Sequence, residues 1–306
     1  MISVAVIMST YNGEKYLGEQ IDSILNQTDL EVTLFVRDDG SSDGTKNILE
    51  KYARDNGKIH INFGVNAGVG NSFMNALYSV PDTFDYYAFA DQDDIWLENK
   101  LFQAVKSLQE SGKMLYASNQ ENTDKDGNSL GLRYKEDALI NQTPLGILSV
   151  NMIAGCTMVF TNKFYKILCN ADNRPSSVLL KNRIHDVWVA MVASLFDGIV
   201  YDKNSYILYR QHENNVVGAK SSFGKRLKNK FKKIKCKEYR NGRSMLAKEI
   251  CEKFPDAAER FPMISICADS QTRKGRKNIL KHRKELVSYT KESCLGFKFK
   301  VLFGLF

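Results

Sequence analysis

The feature that most constrains this chain is an alternation, repeated four times, of short apolar β-branched runs with segments of helical periodicity. The runs fall at 2–9, 32–37, 59–63, 86–90 and 114–118, and the helical segments between them at 14–26, 45–56, 70–79 and 97–111. In the first helical segment Leu17, Ile21, Ile24 and Leu25 keep to one face at a 3.6-residue period. This order predicts an α/β fold, a mostly parallel sheet flanked by helices. Ligands of such sheets bind beyond the carboxyl ends of the strands. Three polar, acid-rich loops fall there: Thr10-Tyr11-Asn12-Gly13, Asp38-Asp39-Gly40-Ser41 and Asp91-Gln92-Asp93-Asp94.

The last of these loops carries the strongest chemistry. Three carboxylates within four residues repel one another, and directly after YYAFA they need a compensating cation. Asp91 and Asp93, two apart at a strand end, can both reach one hard ion. Mg²⁺ and Mn²⁺ favour such oxygens and keep positions open for a diphosphate. A competing reading has the aspartates cap a helix over 95–111, but one carboxylate suffices for a cap. Asp38-Asp39-Gly40-Ser41 is by itself good turn chemistry. Beside it, the Tyr11 ring can stack on a base, and a carboxylate can accept the imide N–H of uracil or thymine.

Several classes fall away. There is no GxxxxGK[ST], GxSxG or HExxH, and Gly68-Val69-Gly70 begins a GxGxxG that Phe73 breaks. No apolar run approaches the ~18–20 residues of a membrane span. Strand-like sequence begins at Ile2, where a signal peptide would place its charged and apolar regions. The six cysteines show no ligand spacing and are expected to be reduced thiols in a cytoplasmic chain.

Charge divides the molecule. The net +8 combines 19 Lys and Arg against 27 acids in residues 1–219 with 24 against 8 in residues 220–306. The first part is expected to be the α/β domain and the second a basic helical appendage. From Lys220 to Arg243 eleven basic residues accompany one acid, and Phe223, Leu227, Phe231 and Ile234 line one helix face. With the closing CLGFKFKVLFGLF, this predicts association with an anionic membrane surface. A packed helix with a solvated face and a nucleic-acid-binding tail are the competing readings.

STYNGEKYLGEQIDSILNQT, RDDGSSDGT and ADQDDIW together resemble the nucleotide-sugar domain of the inverting glycosyltransferase family 2, with its GT-A fold. DQDDIW, HDVW and YRQH resemble bacterial rhamnosyltransferases of cell-wall, capsule or O-antigen polysaccharides. The resemblance covers about residues 1–215. It implies that Ser9, Thr10, Tyr11 and Asp39 hold the pyrimidine nucleoside, and that Asp91 and Asp93 hold Mg²⁺ or Mn²⁺ on the diphosphate. It implies that Asp186 is the general base, where His185 departs from the family's usual acid. His185 is open between an orienting hydrogen bond and packing at a helix start. Arg210 and His212 match a loop that closes over the donor, with His212 offering a metal or phosphate contact. Asp94, Trp96 and His185 are the acceptor-side candidates.

The implied reaction is a single metal-dependent displacement with inversion, with dTDP-L-rhamnose the first choice of donor. The acceptor is a glycan, polyprenyl-linked, at the inner face of the cell membrane. The QxxRW of processive synthases is absent. Related sequences often place a cation near 68–73, but this chain has no Lys or Arg from Ile59 through Asn99. The metal and Arg210 are then left to meet the diphosphate. The alternatives are a UDP-hexose or UDP-N-acetylhexosamine transferase of the same fold, and a nucleic-acid-binding protein led by the tail. Retention on a nucleotide column with Mn²⁺, against retention on heparin alone, separates the last from the others.

Overall fold

The computed structural model describes residues 1–182, 184–212, 241–290 and 293–303. The basic stretch with Phe223, Leu227, Phe231 and Ile234 lies outside them. By compactness the chain divides into two units. The first comprises Met1–Ile140, Ile153–Asn170 and Gly198–Ala219, and the second Asn141–Met152, Ala171–Asp197 and Lys220–Phe306.

The first unit is built on one sheet. Strands β1 (Ser3–Thr10), β2 (Glu31–Asp38), β3 (Ile59–Phe63) and β4 (Tyr86–Ala90) alternate with helices α1 (Leu17–Leu25), α2 (Thr45–Asp55) and α3 (Val69–Ser79). These four strands are parallel, in the order β3-β2-β1-β4. Val4 through Met8 of β1 are wholly buried, as a central strand covered on both faces must be. In register Thr10 lies opposite Asp38, Asp38 opposite Phe63 and Met8 opposite Ala90. The loops that follow these strand ends therefore meet along one edge.

Beyond β4 the sheet turns mixed. β5 (Ile95–Trp96), α4 (Lys100–Ser111), β6 (Leu115–Thr123), β7 (Ser129–Leu132), β8 (Val159–Thr161) and β9 (Ile199–Arg210) complete it, in the order β4-β8-β6-β9-β5. β8 runs antiparallel to β4 and β6, while β9 runs parallel to β6 and antiparallel to β5. The apolar segment 151–160 forms a 3-10 turn at Gly155–Thr157 leading into the short β8. The turn-rich stretch 122–131 is a hairpin, with Asp124 closing the turn by accepting from Asp126 N and Asn128 N, each at 2.9 Å.

The second unit is helical. It holds α5 (Pro144–Ser149), α7 (Ser177–Asn182) and α8 (His185–Leu195), whereas α6 (Asn162–Cys169) belongs to the first unit. Among the described residues six helices follow: α9 (Gly242–Lys253), α10 (Pro255–Arg260), α11 (Pro262–Ala268), α12 (Arg273–Lys281), α13 (Arg283–Ser288) and α14 (Cys294–Leu302). From Val187 to Leu195 α8 is buried all round, so it is the unit's central helix. Among the described residues, no helix is long and apolar enough to cross a membrane.

Candidate active site

The nucleotide-side loops are knitted by polar side chains. Thr10 Oγ1 donates to Asp38 Oδ1 at 3.1 Å, and Asp38 accepts from Ser41 N at 3.0 Å. Asn12, in the left-handed region at φ 48°, donates its N–H to Ser41 Oγ at 2.9 Å and accepts from Ser42 N at 2.9 Å. Gly40 takes φ 83° where a Cβ would stand 3.2 Å from Asn66 N, so the turn needs glycine. Gln92 clasps the Tyr11 backbone, accepting its N–H at 2.8 Å and donating to its carbonyl at 3.2 Å. The Tyr11 ring is left 49% exposed.

Asp39 is buried, and its carboxylate accepts from Ala67 N, Gly68 N and the Arg37 guanidinium. Arg37 also donates to Ser72 Oγ at 3.0 Å and Val65 O at 3.2 Å. Ser9 Oγ completes this group by donating to Ser72 Oγ at 2.6 Å. The cation facing residues 65–72 is thus Arg37 of β2, and it is committed to Asp39, Ser72 and Val65. Sequence reasoning passed over Arg37 because, beyond its ion-pair partner Asp39 two residues on, its contacts Val65 and Ser72 lie 28 and 35 residues away.

The DQDD loop meets the end of β9. β5 pairs with β9 through Ile95 opposite Leu208 and Trp96 opposite Ile207. This pairing overturns the capping reading, since a strand separates the aspartates from α4, which begins at Lys100. His212 Nε2 lies 2.8 Å from Asp93 Oδ2, both side chains about one-sixth exposed. Arg210 N donates to Asp94 Oδ1 at 3.3 Å. The Arg210 guanidinium donates to Asp93 O at 3.2 Å, to Lys125 O at 3.0 Å and to the Glu19 carboxylate. It also sits 4.4 Å above the Tyr16 ring, whose centroid is 5.3 Å from that of His212. Arg210 was expected to meet the donor diphosphate; its side chain is instead buried and committed to Glu19, two carbonyls and Tyr16.

Below this loop lies a buried polar group. Asp94, Lys100 and Cys156 are at most 3% exposed, and Lys100 Nζ stands 3.6 Å from the centroid of Trp96. Burial pulls the Lys100 ammonium down to about 7. Burial and the neighbouring Asp93 and Asp91 push the Asp94 carboxyl well above the carboxylate range. Burial, then Asp94 and Asp91, push up the Cys156 thiol. Desolvation disfavours each charged form. Asp91, Asp94 and Cys156 each bring a ligand atom within 4.8 Å of the others.

Asp94 and Trp96 were expected on the acceptor side, and both are interior: Asp94 takes the Arg210 N–H and Trp96 carries the Lys100 ammonium on its ring. His185, the third, is buried at the start of α8 in the second unit, where burial holds it neutral, down to about 3. Asp186, in the first turn of that helix, is half-buried and accepts from Val187 N at 2.6 Å. A cavity of about 800 Å³ lies at the opposite strand ends, lined by Ile2, Asp85, Tyr86 and Lys163 among others, away from these loops.

The family model for glycosyl transferase family 2 matches residues 5–168, which span β1 to α6. The chain belongs to that family. As a family 2 glycosyltransferase it is 33% identical over 236 residues to dTDP-rhamnosyl transferase RfbG of Shigella flexneri, covering 74% of this chain and 78% of that protein. It is 30% identical over 155 residues to the putative teichuronic acid biosynthesis glycosyltransferase TuaG of Bacillus subtilis, covering 48% of this chain and 60% of TuaG. Among solved structures, S. aureus TarS 1–349 in complex with UDP-GlcNAc superposes with a TM-score of 0.60 at 17% identity, covering 94% of this chain and 79% of that one. That likeness concerns the fold, which is the GT-A arrangement of an α/β sheet with flanking helices.

Proposed function

We propose that this glycosyltransferase moves L-rhamnose from dTDP-L-rhamnose to a lipid-linked glycan in the synthesis of a cell-surface polysaccharide, using Mg²⁺ or Mn²⁺. The observation that carries the reading is the meeting of Asp93 with His212 at the edge where the Tyr11 and Asp39 loops also end. The identity to RfbG over most of both chains supports the choice of donor. A carboxylate oxygen and an imidazole nitrogen 2.8 Å apart fit a divalent ion, and the imidazole suits Mn²⁺ better than Mg²⁺. Asp93 and His212 would hold the ion, with Asp91 beside them. When bound, it would offset the charge developing on the departing nucleoside diphosphate.

The chain's own residues do the rest. The exposed Tyr11 ring offers a stacking surface for the pyrimidine, and the Asp39 loop, held by Arg37, borders it. Asp186 takes the proton of the acceptor hydroxyl as its oxygen bonds to the anomeric carbon. The bond from that carbon to the diphosphate oxygen breaks on the opposite face, so the configuration inverts. In this reading residues 1–219 carry the transfer chemistry, and residues 220–306 hold the enzyme at an anionic membrane surface facing the cytoplasm.

The test is incubation with a panel of dTDP- and UDP-sugars, with Mn²⁺, with Mg²⁺ and with EDTA, following release of the nucleoside diphosphate. Slow turnover of dTDP-L-rhamnose that stops in EDTA is the expected result. Turnover of UDP-glucose or UDP-N-acetylglucosamine instead would replace the donor, and turnover unaffected by EDTA would remove the metal.

A further inference from the structure

Helix α14 carries two apolar stripes, and among the described residues only one is packed. Phe297 and Val301, four residues apart, are each 1% exposed and form its packed face. Leu295, Phe299, Leu302 and Phe303 are 78%, 56%, 49% and 63% exposed. At 3.6 residues per turn these four fall within an arc of about 100° on the opposite side. The Phe299 and Phe303 rings lie 4.2 Å apart in solvent. Such a contiguous exposed apolar stripe is the mark of an interaction surface.

The surroundings say what it meets. Lys298 and Lys300 flank the stripe on either side of the helix, the first exposed and the second partly so. Between Arg273 and Phe303 there are ten Lys and Arg against two acids. Arg273, Lys274, Lys277 and Lys281 of α12 are exposed or partly exposed. Arg276 of α12 donates to Leu302 O at 3.2 Å, which ties the basic helix to the apolar one. A second copy of this chain would set like charge against like charge. A nucleic acid would use the cations but leave the aliphatic members of the stripe in water. An anionic lipid surface satisfies both, with phosphate heads at the rim and acyl chains under the rings.

We propose that the solvent-facing stripe of α14 is a membrane-docking surface: Leu295, Phe299, Leu302 and Phe303 enter the head-group boundary of an anionic bilayer while the α12 cations hold its surface. This deepens the membrane part of the function proposed above and is independent of which donor is used. It assigns the hydrophobic anchor to a helix within the described residues, separate from the stretch 220–240.

The test uses the full chain, sedimented with vesicles of phosphatidylglycerol and phosphatidylcholine and with phosphatidylcholine alone. The double variant Leu295→Ser, Phe299→Ser should lower partition onto the anionic vesicles by at least about tenfold, since each lost side chain removes apolar burial. Phe299→Trp should show a blue-shifted emission on those vesicles and none on phosphatidylcholine. At 1 M salt, where the Debye length is about 3 Å, the wild type should release only partly and the double variant fully. Unchanged partition of the double variant, an unshifted tryptophan, or a wild type that ignores anionic vesicles overturns the proposal. So does a wild-type dimer that the double variant converts to monomer, which would give the stripe to a second copy. Donor turnover in free solution should be the same in wild type and variants; if it is absent from all of them, the catalytic reading fails while the docking result stands.

Discussion

Asp93 and His212 are brought together from residues 119 apart, and the pair is supported from one side by Tyr16 and Arg210. Asp93→Ala should abolish Mn²⁺-dependent nucleotide binding, read by calorimetry with and without EDTA, and leave the melting temperature within a few degrees. His212→Ala should weaken the same binding more for Mn²⁺ than for Mg²⁺. Equal affinities with and without EDTA in the wild type would end the metal reading. The DQDD cluster was legible because its acids are adjacent in sequence. Lys100 and Cys156 were not, since each meets partners delivered by another element, and Arg37 was not, since Val65 and Ser72 reach it from beyond β3. His185 allows a pH test. It is buried neutral, pulled down to about 3 by burial against an ordinary 6.5. A depressed pKa contributes stability above the unfolded value, lost as pH falls towards the folded one. Between pH 7 and pH 5 protonation of the unfolded chain at this one group should cost about 2 kcal/mol. The stability gap between wild type and His185→Gln in urea should shrink by that amount over the same interval. A gap that stays constant would mean the imidazole is already charged or solvated in the fold.

At the scale of elements, β1 to β4 and their helices were readable because each has a single period and a polar stop, and the observed bounds differ by at most three residues. The rest of the sheet was not. β5 is two residues long and exists only by pairing with β9, so neither periodicity nor propensity can announce it. The 3-10 turn at Gly155–Thr157 is similar: it is wholly buried, so an apolar run there carries no period that marks a turn. Helix α8 was placed correctly by its sequence, and its first turn carries the proposed base. Asp186→Asn keeps the size and the capping oxygen, so donor affinity should stay near wild type while turnover falls by about 10²–10⁴-fold. The measurement is kcat against the donor KM with a synthetic acceptor. If turnover falls by less than a few-fold, Asp186 serves the helix start and the base is another carboxylate.

For the whole molecule, charge and compactness draw different maps. The charge changes sign near residue 219, whereas the second compact unit gathers 141–152 and 171–197 together with 220–306. Within that unit the later helices are built into the earlier ones. Arg243 donates to Ser149 O at 2.7 Å, Glu249 accepts from Ser176 N at 2.8 Å, and the Phe254 ring lies 6.4 Å from that of Trp188. Leu246, Ile250 and Ile264 are wholly buried, as are Trp188 and Met191 of α8. Removing everything after Gly218 would therefore strip α5, α7 and α8 of the side chains that cover them, not just shed a basic tail. At about 1.5–3 kcal/mol for each large apolar group returned to water, three or four such losses match the ~5–15 kcal/mol that holds a whole domain. A chain ending at Gly218 should be recovered mostly as insoluble protein, and any soluble fraction should bind a hydrophobic dye and melt many degrees lower. Vesicle binding must for this reason be tested with surface substitutions on α14, because loss of binding by the shortened chain would report unfolding as readily as loss of an anchor. Should the shortened chain prove soluble, dye-silent and as heat-stable as the full one, residues 220–306 would be a detachable appendage after all, and the helices of 141–197 would owe their stability to other contacts.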